Sequence, residues 1–302
     1  MAKGLTYTAI FEAMSLNYGE GVGNISELKK LTKGGEFYSY TSRQAIRYDI
    51  YRTLKESYNI DDKEDPLTKE QQVVQFKPDA NIKDYVEMDL FGYMKTKKGQ
   101  GSISRPAVVR ISPAISLEPM EGDVEFGTNK NFADRAGTDP NPFQFEHHYS
   151  LYSYTVTIDL DRIGVDENDK IYISPDEKAK RVNQLLEVLK VLTRNIKGRT
   201  ESLSPIFAIG GVYDIKNPFF LNKLKVNYSK EEKKYGIDTE ILDSQLSLSF
   251  DGKSIRDYTY VGYLKGYWLN ESEFNKLSKN VSDIDGFFSG LKDKVLETFG
   301  SK

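Results

Sequence analysis

The stretch that decides the fold is Ser150–Val165, SLYSYTVTIDLDRIGV, in which apolar and polar residues alternate along most of the length. Such alternation, in a segment rich in β-branched and aromatic residues, predicts a strand with one face in the core. The next segment, Ser174–Gly198, predicts a helix. Ser174 is a suitable N-cap, Pro175 takes the first helical position, and Glu177 completes a capping box. These two elements form one strand–helix unit.

A second strand–helix unit precedes it. Leu5–Asn17 predicts a strand, and Ser42–Tyr58 predicts a helix whose buried stripe is Ile46, Ile50 and Leu54. Further strands are predicted at Asp84–Met94, Arg105–Leu117, Pro205–Ile215 and Ser244–Gly252. The order predicts an α+β fold, an RRM-like (ferredoxin-like) βαββαβ palm with insertions. We expect this palm to span residues 1–265, and residues 266–302 to form a small C-terminal helical appendage.

The segment Glu118–Glu146 has no clear periodicity. It contains many Gly and Pro residues but keeps scattered hydrophobic ones. It therefore predicts a long irregular loop, and a loop of this length in a compact domain is either functional or disordered.

Composition limits the possible function classes. The chain has 302 residues, of which 38% are hydrophobic and 29% charged, and it has no Cys, which excludes disulfides and thiolate metal sites. It has neither an apolar run long enough to span a membrane nor a signal-peptide pattern, so we expect a cytoplasmic protein with no membrane partner. The net charge is −3, yet Lys95–Arg110 holds five basic residues and no acid. A local basic groove is therefore possible, although such runs are often ordinary solvated surface.

Most catalytic motifs fail on inspection. GEGVGN at Gly19–Asn24 lacks the last Gly of a dinucleotide-binding loop, and DGKS at Asp251–Ser254 lacks the first Gly of a phosphate-binding loop. The two histidines, His147 and His148, are adjacent, so on a strand they point to opposite faces and chelate one metal poorly. Catalysis is therefore the less favoured hypothesis, and we expect a non-enzymatic protein with no metal and no cofactor.

Two arginines open the helix predicted at Ser42–Tyr58. Arg43 and Arg47 are four residues apart and share one helix face, where the macrodipole disfavours positive charge. A phosphate bound by the first-turn N–H groups, the Ser42 hydroxyl and both guanidinium groups would reverse that penalty. Nearby carboxylates would also explain the arginines, and the sequence leaves both explanations open.

Four segments resemble one family. They are Ser15–Leu54 (SLNYGEGVGNISELKKLTKGGEFYSYTSRQAIRYDIYRTL), DLFGYM at Asp89–Met94, SRPAVVRISPAISLEP at Ser104–Pro119, and YSLYSYTVTIDLDRIGV at Tyr149–Val165 with the helix that follows. They are similar to the DevR family of CRISPR-associated proteins, the backbone subunits of type I-B Cascade within the RAMP superfamily. The resemblance runs from about residue 4 to about residue 220.

The resemblance implies a guide-RNA-binding subunit. Copies would polymerise head-to-tail along one CRISPR RNA (crRNA) with other Cascade subunits, and present it to double-stranded target DNA. A thumb at about 115–148 would kink the guide at intervals, with Met120, Phe126 and Phe132 as candidates for its wedge. The residues that the resemblance implies for RNA contact are Asn17, Lys29, Lys30, Ser42, Arg43, Gln44, Arg47, Arg105, Arg110 and Arg199.

Two other functions remain open at this point. A metal-dependent ribonuclease of the RAMP type would use Glu20, or a thumb carboxylate such as Asp123 or Asp134. A generic RRM-like scaffold would bind only proteins. Copurifying RNA of uniform length separates the guide binder from the protein scaffold, and cleavage identifies the nuclease.

Overall fold

A computed structural model describes residues 3–19, 21, 23–70, 73–97 and 101–300. In chain order its helices are α1 (Arg43–Tyr58), α2 (Val86–Phe91), α3 (Lys130–Ala136), α4 (Pro175–Lys190), α5 (Thr239–Leu246), α6 (Glu271–Leu277) and α7 (Ile284–Phe299), with short 3₁₀ turns at Leu160–Arg162 and Arg256–Tyr258. Its strands are β1 (Gly4–Met14), β2 (Ile25–Ser26), β3 (Lys30–Lys33), β4 (Glu36–Thr41), β5 (Leu67–Glu70), β6 (Val73–Phe76), β7 (Tyr93–Lys97), β8 (Gly101–Arg105), β9 (Val109–Ile111), β10 (Ala114–Ser116), β11 (Asp123–Thr128), β12 (Pro142–His147), β13 (Tyr149–Asp159), β14 (Val165–Asp166), β15 (Ile171–Tyr172), β16 (Thr193–Ile196), β17 (Arg199–Ser202), β18 (Phe207–Tyr213), β19 (Val226–Ser229), β20 (Lys234–Ile237), β21 (Ser249–Phe250), β22 (Lys253–Ser254), β23 (Thr259–Tyr263) and β24 (Asn280–Ser282).

The large sheet of the described chain is built on β1, confirming a mixed α+β protein. Its strand order is β24-β23-β18-β1-β13-β10-β4-β3, and β9 also pairs with β13. β1 is antiparallel to both neighbours, and its register with β13 runs from Gly4 opposite Asp159 to Met14 opposite Tyr149. The stretch Ser150–Val165 therefore supplies most of a central strand, as its alternation predicts.

One face of this sheet is covered by helices. From β1, Tyr7 and Phe11 are buried in one cluster with Ile50 of α1, Leu186 of α4 and Phe288 of α7. Each such side chain contributes roughly 1.5–3 kcal/mol when it is buried completely. The predicted Ile46, Ile50 and Leu54 stripe is confirmed as the buried side of α1. This packing holds α1 against the helix-covered face of the sheet.

The residues after 265 belong to the same body. β24 pairs in parallel with β23 at the end of the large sheet. Phe287, Phe288 and Leu291 of α7 are buried in the cluster that contains α1 and α4. The segment predicted as a small helical appendage thus supplies both a strand and a core helix.

The strand predicted at Asp84–Met94 is wrong. Most of that segment is α2, which buries Met88 and Leu90. The Asp61 carboxylate accepts hydrogen bonds from the N–H groups of Val86 and Glu87 at 2.6 and 3.1 Å. This cap comes from 25 residues away in the chain, so the local pattern could not reveal it.

The irregular loop predicted at Glu118–Glu146 is also wrong. The segment contains β11, α3 and β12, and β11 pairs with β12 from Asp123–His147 to Thr128–Pro142. Two of the residues that looked like breakers lie where elements begin or end: Pro142 begins β12, and Gly137 follows α3. Gly137, with φ +67°, closes α3 through its N–H. We call β11, α3 and β12 together the β11–β12 hairpin.

Three other predicted elements are shorter than expected. The helix predicted at Ser174–Gly198 ends at Lys190, and Gly198 lies in the turn between β16 and β17. Arg105–Leu117 is divided by Pro113 into β9 and β10, both of which pair with β13. The strand predicted at Ser244–Gly252 begins as the end of α5 and retains only β21.

Candidate nucleic-acid interface

The N-terminus of α1 opens onto the surface. Ser42 has extended backbone angles, and its Oγ accepts a hydrogen bond from the Ala45 N–H at 3.3 Å. The Asn17 side-chain amide lies 3.2 Å from the same hydroxyl. The first turn contains no acidic residue, and Arg43 and Gln44 are exposed on it. Several N–H donors and one guanidinium therefore face outward at the positive end of a helix dipole.

A cleft of about 390 Å³ lies beside this turn. Residues of α1 form one wall, and Phe91 of α2 and residues of β9 form the other. Its lining is Arg43, Gln44, Arg47, Phe91, Ala107, Val109, Arg110 and Ile111. Among the described residues this lining contains three arginines and no carboxylate, so the cleft favours an anion.

The two arginines of α1 have different surroundings. The Arg47 guanidinium donates to Glu87 Oε1 at 2.9 Å and lies 4.9 Å from the centre of the Phe91 ring. Arg43 makes no ion pair or side-chain hydrogen bond with any described residue. The carboxylate explanation therefore holds for Arg47 and fails for Arg43.

Arg110 forms the far rim of the cleft. Its two terminal nitrogens each lie 2.9 Å from an oxygen of Asp159. Hydrogen bonding to Asp159 raises the pKa of Arg110. Burial alone would raise the pKa of Asp159, but its bond to Arg110 and its nearby cations lower it. The Arg110 side chain stays half-exposed, so it can meet a second anion.

Arg105 does not lie in the cleft. Its residue exposure is 5%, and its guanidinium donates to the Asp89 carboxylate at 2.9 Å. It also donates to the carbonyls of Met88, Arg162 and Val165 at 3.2, 2.9 and 3.1 Å. These partners occupy Arg105 completely, so we remove it from the candidate RNA contacts and assign it to the core.

The remaining predicted cations are mostly engaged elsewhere. Lys30 lies 2.8 Å from Glu146 Oε1. Burial disfavours its charge, but the hydrogen bonds to Glu146 and Glu27 and the charges of these two carboxylates together raise the pKa of Lys30. Arg199 pairs with Glu201 at 2.6 Å and donates to the Met14 carbonyl at 2.9 Å. Lys29 lies next to β4, since its carbonyl accepts from the Tyr40 N–H. Only Lys29 of these three lacks an ion pair to a described residue.

The three wedge candidates separate into two groups. Phe126 of β11 and Phe132 of α3 are 70% and 67% exposed. Met120 precedes the β11–β12 hairpin, is partly buried, and donates its N–H to the Phe37 carbonyl at 2.7 Å. Phe126 and Phe132 are therefore free to contact another molecule, and Met120 is tied to β4.

The base of the β11–β12 hairpin contains residues that sequence reasoning missed. The Lys197 ammonium lies 4.5 Å from the Phe145 ring centre and 5.2 Å from that of Tyr18. Glu146 accepts from the Leu28 N–H at 2.8 Å. These contacts join three segments far apart in the chain, and nothing in the local pattern signals them.

Neither a metal cluster nor a membrane helix is found in the described ranges. No three His, Cys, Asp or Glu side chains among the described residues are grouped so that they could hold a metal ion. Asp123 and Asp134 lie on different elements, and Asp134 pairs with Lys130 at 3.0 Å. Glu20 lies outside the described residues. Within those same ranges, every helix is too short or too polar to cross a bilayer.

Comparison with known proteins decides the family. The family model described as "CRISPR-associated negative auto-regulator DevR/Csa2" matches residues 5–233. The chain belongs to the DevR/Csa2 family. The matched range includes α1, the cleft, the β11–β12 hairpin and α4.

The DevR/Csa2 assignment agrees with individual relatives. "CRISPR-associated protein Cas7/Cst2/DevR" of Myxococcus xanthus (strain DK1622) is 29% identical over 164 residues. That match covers 49% of this chain and 54% of the relative, so it spans about half of each protein.

Two solved structures share the fold. A chain of a "CRISPR RNA-guided surveillance complex, pre-nicking" gives a TM-score of 0.60 at 12% identity, covering 95% of this chain and 100% of that one. A chain of a "CRISPR RNA-guided surveillance complex" gives 0.56 at 15% identity, covering 98% and 99%. At these identities the likeness is one of fold.

Proposed function

We propose that this DevR/Csa2 protein is a non-catalytic, crRNA-binding backbone subunit of a type I-B CRISPR Cascade complex. The observation that carries the proposal is the cleft at the N-terminus of α1, where Arg43 faces solvent without a carboxylate partner among the described residues. Family membership and the surveillance-complex neighbours support it. The expected partners are crRNA, target double-stranded DNA through the guide, further copies head-to-tail and other Cascade subunits, in the cytoplasm.

The topology supports an RRM-like palm. The middle of the sheet has the order β18-β1-β13-β10. In the chain, α1 lies between β1 and β9, and α4 lies between β13 and β18. This is the strand order of a βαββαβ unit. In chain order the β11–β12 hairpin lies between β10 and β13, which matches the position of a thumb insertion. The proposed wedge is Phe126 or Phe132, because an apolar side chain must be exposed to unstack bases.

The proposed RNA contacts address phosphate and sugar rather than bases. Ser42, Arg43 and Gln44 stand at the helix N-terminus, with Arg47 and Arg110 at the walls of the cleft. Such a site binds any sequence, which a guide carrier needs because base pairing reads the target. We propose Asn17 as a support of Ser42 and Lys29 as a peripheral contact, and we leave Lys30 and Arg199 as weaker candidates.

The decisive experiment purifies the subunit, with its complex, from cells that make its crRNA. Wild type is compared with Arg43→Glu and with the control Lys55→Glu at the other end of α1. We expect RNA of uniform length to copurify with wild type and with the control. The amount of copurifying RNA should fall at least tenfold for Arg43→Glu. Arg47→Glu is a poorer test, because it would place a carboxylate against Glu87. Unchanged RNA with Arg43→Glu would contradict the proposed site.

A cleavage assay tests the ribonuclease alternative. The purified complex is incubated with Mg²⁺ and guide-complementary RNA, and we expect intact RNA. Metal-dependent cutting that Asp123→Asn or Asp134→Asn abolishes would make the protein a nuclease.

A further inference from the structure

The cleft at α1 continues across an edge of the large sheet. β9 pairs only with β13 among the described strands, so its other edge is open. A second cleft of about 320 Å³ shares Arg110 and Ile111 with the α1 cleft and lies over Thr155 and Thr157. A third cleft of about 400 Å³ shares Thr155 and Leu221 with the second. Because neighbouring clefts share lining residues, we treat the three as one groove. It runs from the helix-covered face of the large sheet to the other face of that sheet, and we call it the edge groove.

Cations mark the whole length of the edge groove. Arg43 and Arg110 line its first part, Lys216 its middle, and Lys33 and Lys225 its far end. In the middle, Asp159 accepts from Arg110 at 2.9 Å and lies 3.8 Å from Lys216. No carboxylate of the described chain lines the far end. Positive charge is therefore least compensated at the two ends.

The two lysines at the far end come from different segments and line the same cleft. Lys33 ends β3, and Lys225 precedes β19. The pKa of Lys225 is lowered, first by its direct contact with the Lys33 side chain and then by burial. Neither lysine pairs with a carboxylate of the described residues. Two like charges held together without a counter-ion repel, and a bound anion would reverse that effect.

We propose that the RNA strand bound at the N-terminus of α1 passes over the open edge of β9 and places its following phosphates against Lys33 and Lys225. The inference rests on the proposed RNA-binding function and extends its site to the other face of the sheet. An extended strand is favoured over a small free anion because the second cleft shares lining residues with both the first and the third. Tyr38, Ser153 and Asn222 supply further polar groups along this lining.

The test measures binding of 5′-labelled single-stranded RNA to the purified protein over a range of salt concentrations. The variant is Lys33→Gln/Lys225→Gln, and its matched control is Lys223→Gln/Lys230→Gln, which removes two exposed lysines of the neighbouring segment. Removing one phosphate–cation pair lowers the slope of log K against log salt by about 0.7 for single strands. We therefore expect a reduction of about 0.7 to 1.4 for the variant and none for the control. RNA shortened to fill only the α1 cleft should bind variant and wild type equally.

The outcomes separate the two proposals. If wild type binds RNA and Arg43→Gln weakens it, but the lysine variant matches its control, the edge-groove inference is wrong and the α1 site stands. If wild type binds no RNA, both fail. Thermal unfolding should show the lysine variant at least as stable as wild type, since it removes repulsion.

A second measurement is acetylation of wild-type lysines with and without RNA. Bound RNA should protect Lys33 and Lys225, whereas Lys223 and Lys230 should react equally in both states. Equal acetylation of Lys33 and Lys225 with and without RNA would also overturn the inference.

Discussion

Arg43 and Arg105 look alike in the sequence, yet the structure gives them opposite surroundings. Both lie in segments similar to the DevR family, and that resemblance implies RNA contact for both. Arg43 is exposed on the first turn of α1, whereas Arg105 is buried against Asp89 and several carbonyls. The comparison teaches that an arginine's role depends on which acceptors the fold brings to it, and spacing along the chain does not reveal those.

The largest expected effect comes from removing the Arg105 guanidinium. Arg105→Ala leaves Asp89 with one arginine fewer and several carbonyls without donors in the core. Removing one partner of a buried pair typically costs about 3–5 kcal/mol, so we expect the free energy of unfolding to fall by that amount. Urea denaturation measures it, with Arg43→Ala as the exposed control. If the free energy of unfolding fell by the same small amount in both variants, the assignment of Arg105 to the core would be wrong.

The β11–β12 hairpin provides a second contrast of the same kind, between its base and its tip. Phe145 contacts Tyr18, Phe143 and Lys197, whereas Phe132 is exposed. Phe145→Ala should lower the free energy of unfolding by about 2 kcal/mol, less than a fully buried Phe because the ring is only partly covered. Phe132→Ala should change it by less than about 0.5 kcal/mol. Thermal unfolding checks both, and a large decrease for Phe132→Ala would show that the tip is structural rather than free to act as a wedge.

The adjacent histidines His147 and His148 also have different surroundings, and the pH dependence of stability can distinguish them. His148 is buried with Nδ1 2.7 Å from Ser39 Oγ, and burial lowers its pKa from 6.5 although Glu118 and Asp123 oppose this. The unfolded chain then binds a proton that the folded chain resists. His148 therefore contributes stability above about pH 6.5 that disappears as the pH falls towards its folded pKa.

Substitution should remove that dependence. We expect His148→Gln to flatten the fall in unfolding free energy between about pH 7 and about pH 5 relative to wild type. The control is His147→Gln, because the ring of His147 contacts the exposed Glu125. A wild-type slope retained in His148→Gln would show that other groups cause the pH dependence.

How far the sequence could predict the molecule follows the same logic. Local patterns predicted β1, β13 and the buried stripe of α1, because alternation and four-residue spacing report directly on burial. They failed at α2, whose cap is the distant Asp61, and at the β11–β12 hairpin, where Gly127 pairs within β11 and Gly137 ends α3. In the site, the position of Arg43 at a helix start was predictable. The Arg105 network, the Lys197 contacts and the Lys33–Lys225 pair depend on tertiary contacts between remote segments.

The smallest expected effect is the most informative about Arg43. A positive charge on the first turn of a helix is unfavourable, and α1 has no acidic residue there. Arg43→Glu should therefore raise the free energy of unfolding of the RNA-free protein by about 0.3–1 kcal/mol. Lys55→Glu, in the last turn, should lower it by a similar amount, which urea denaturation at low salt can resolve. If Arg43 stabilised the fold, its replacement would lower the free energy of unfolding. A variant that is more stable than wild type but carries no RNA would therefore show that Arg43 serves RNA binding. Lower stability in Arg43→Glu would instead mean that Arg43 supports the fold.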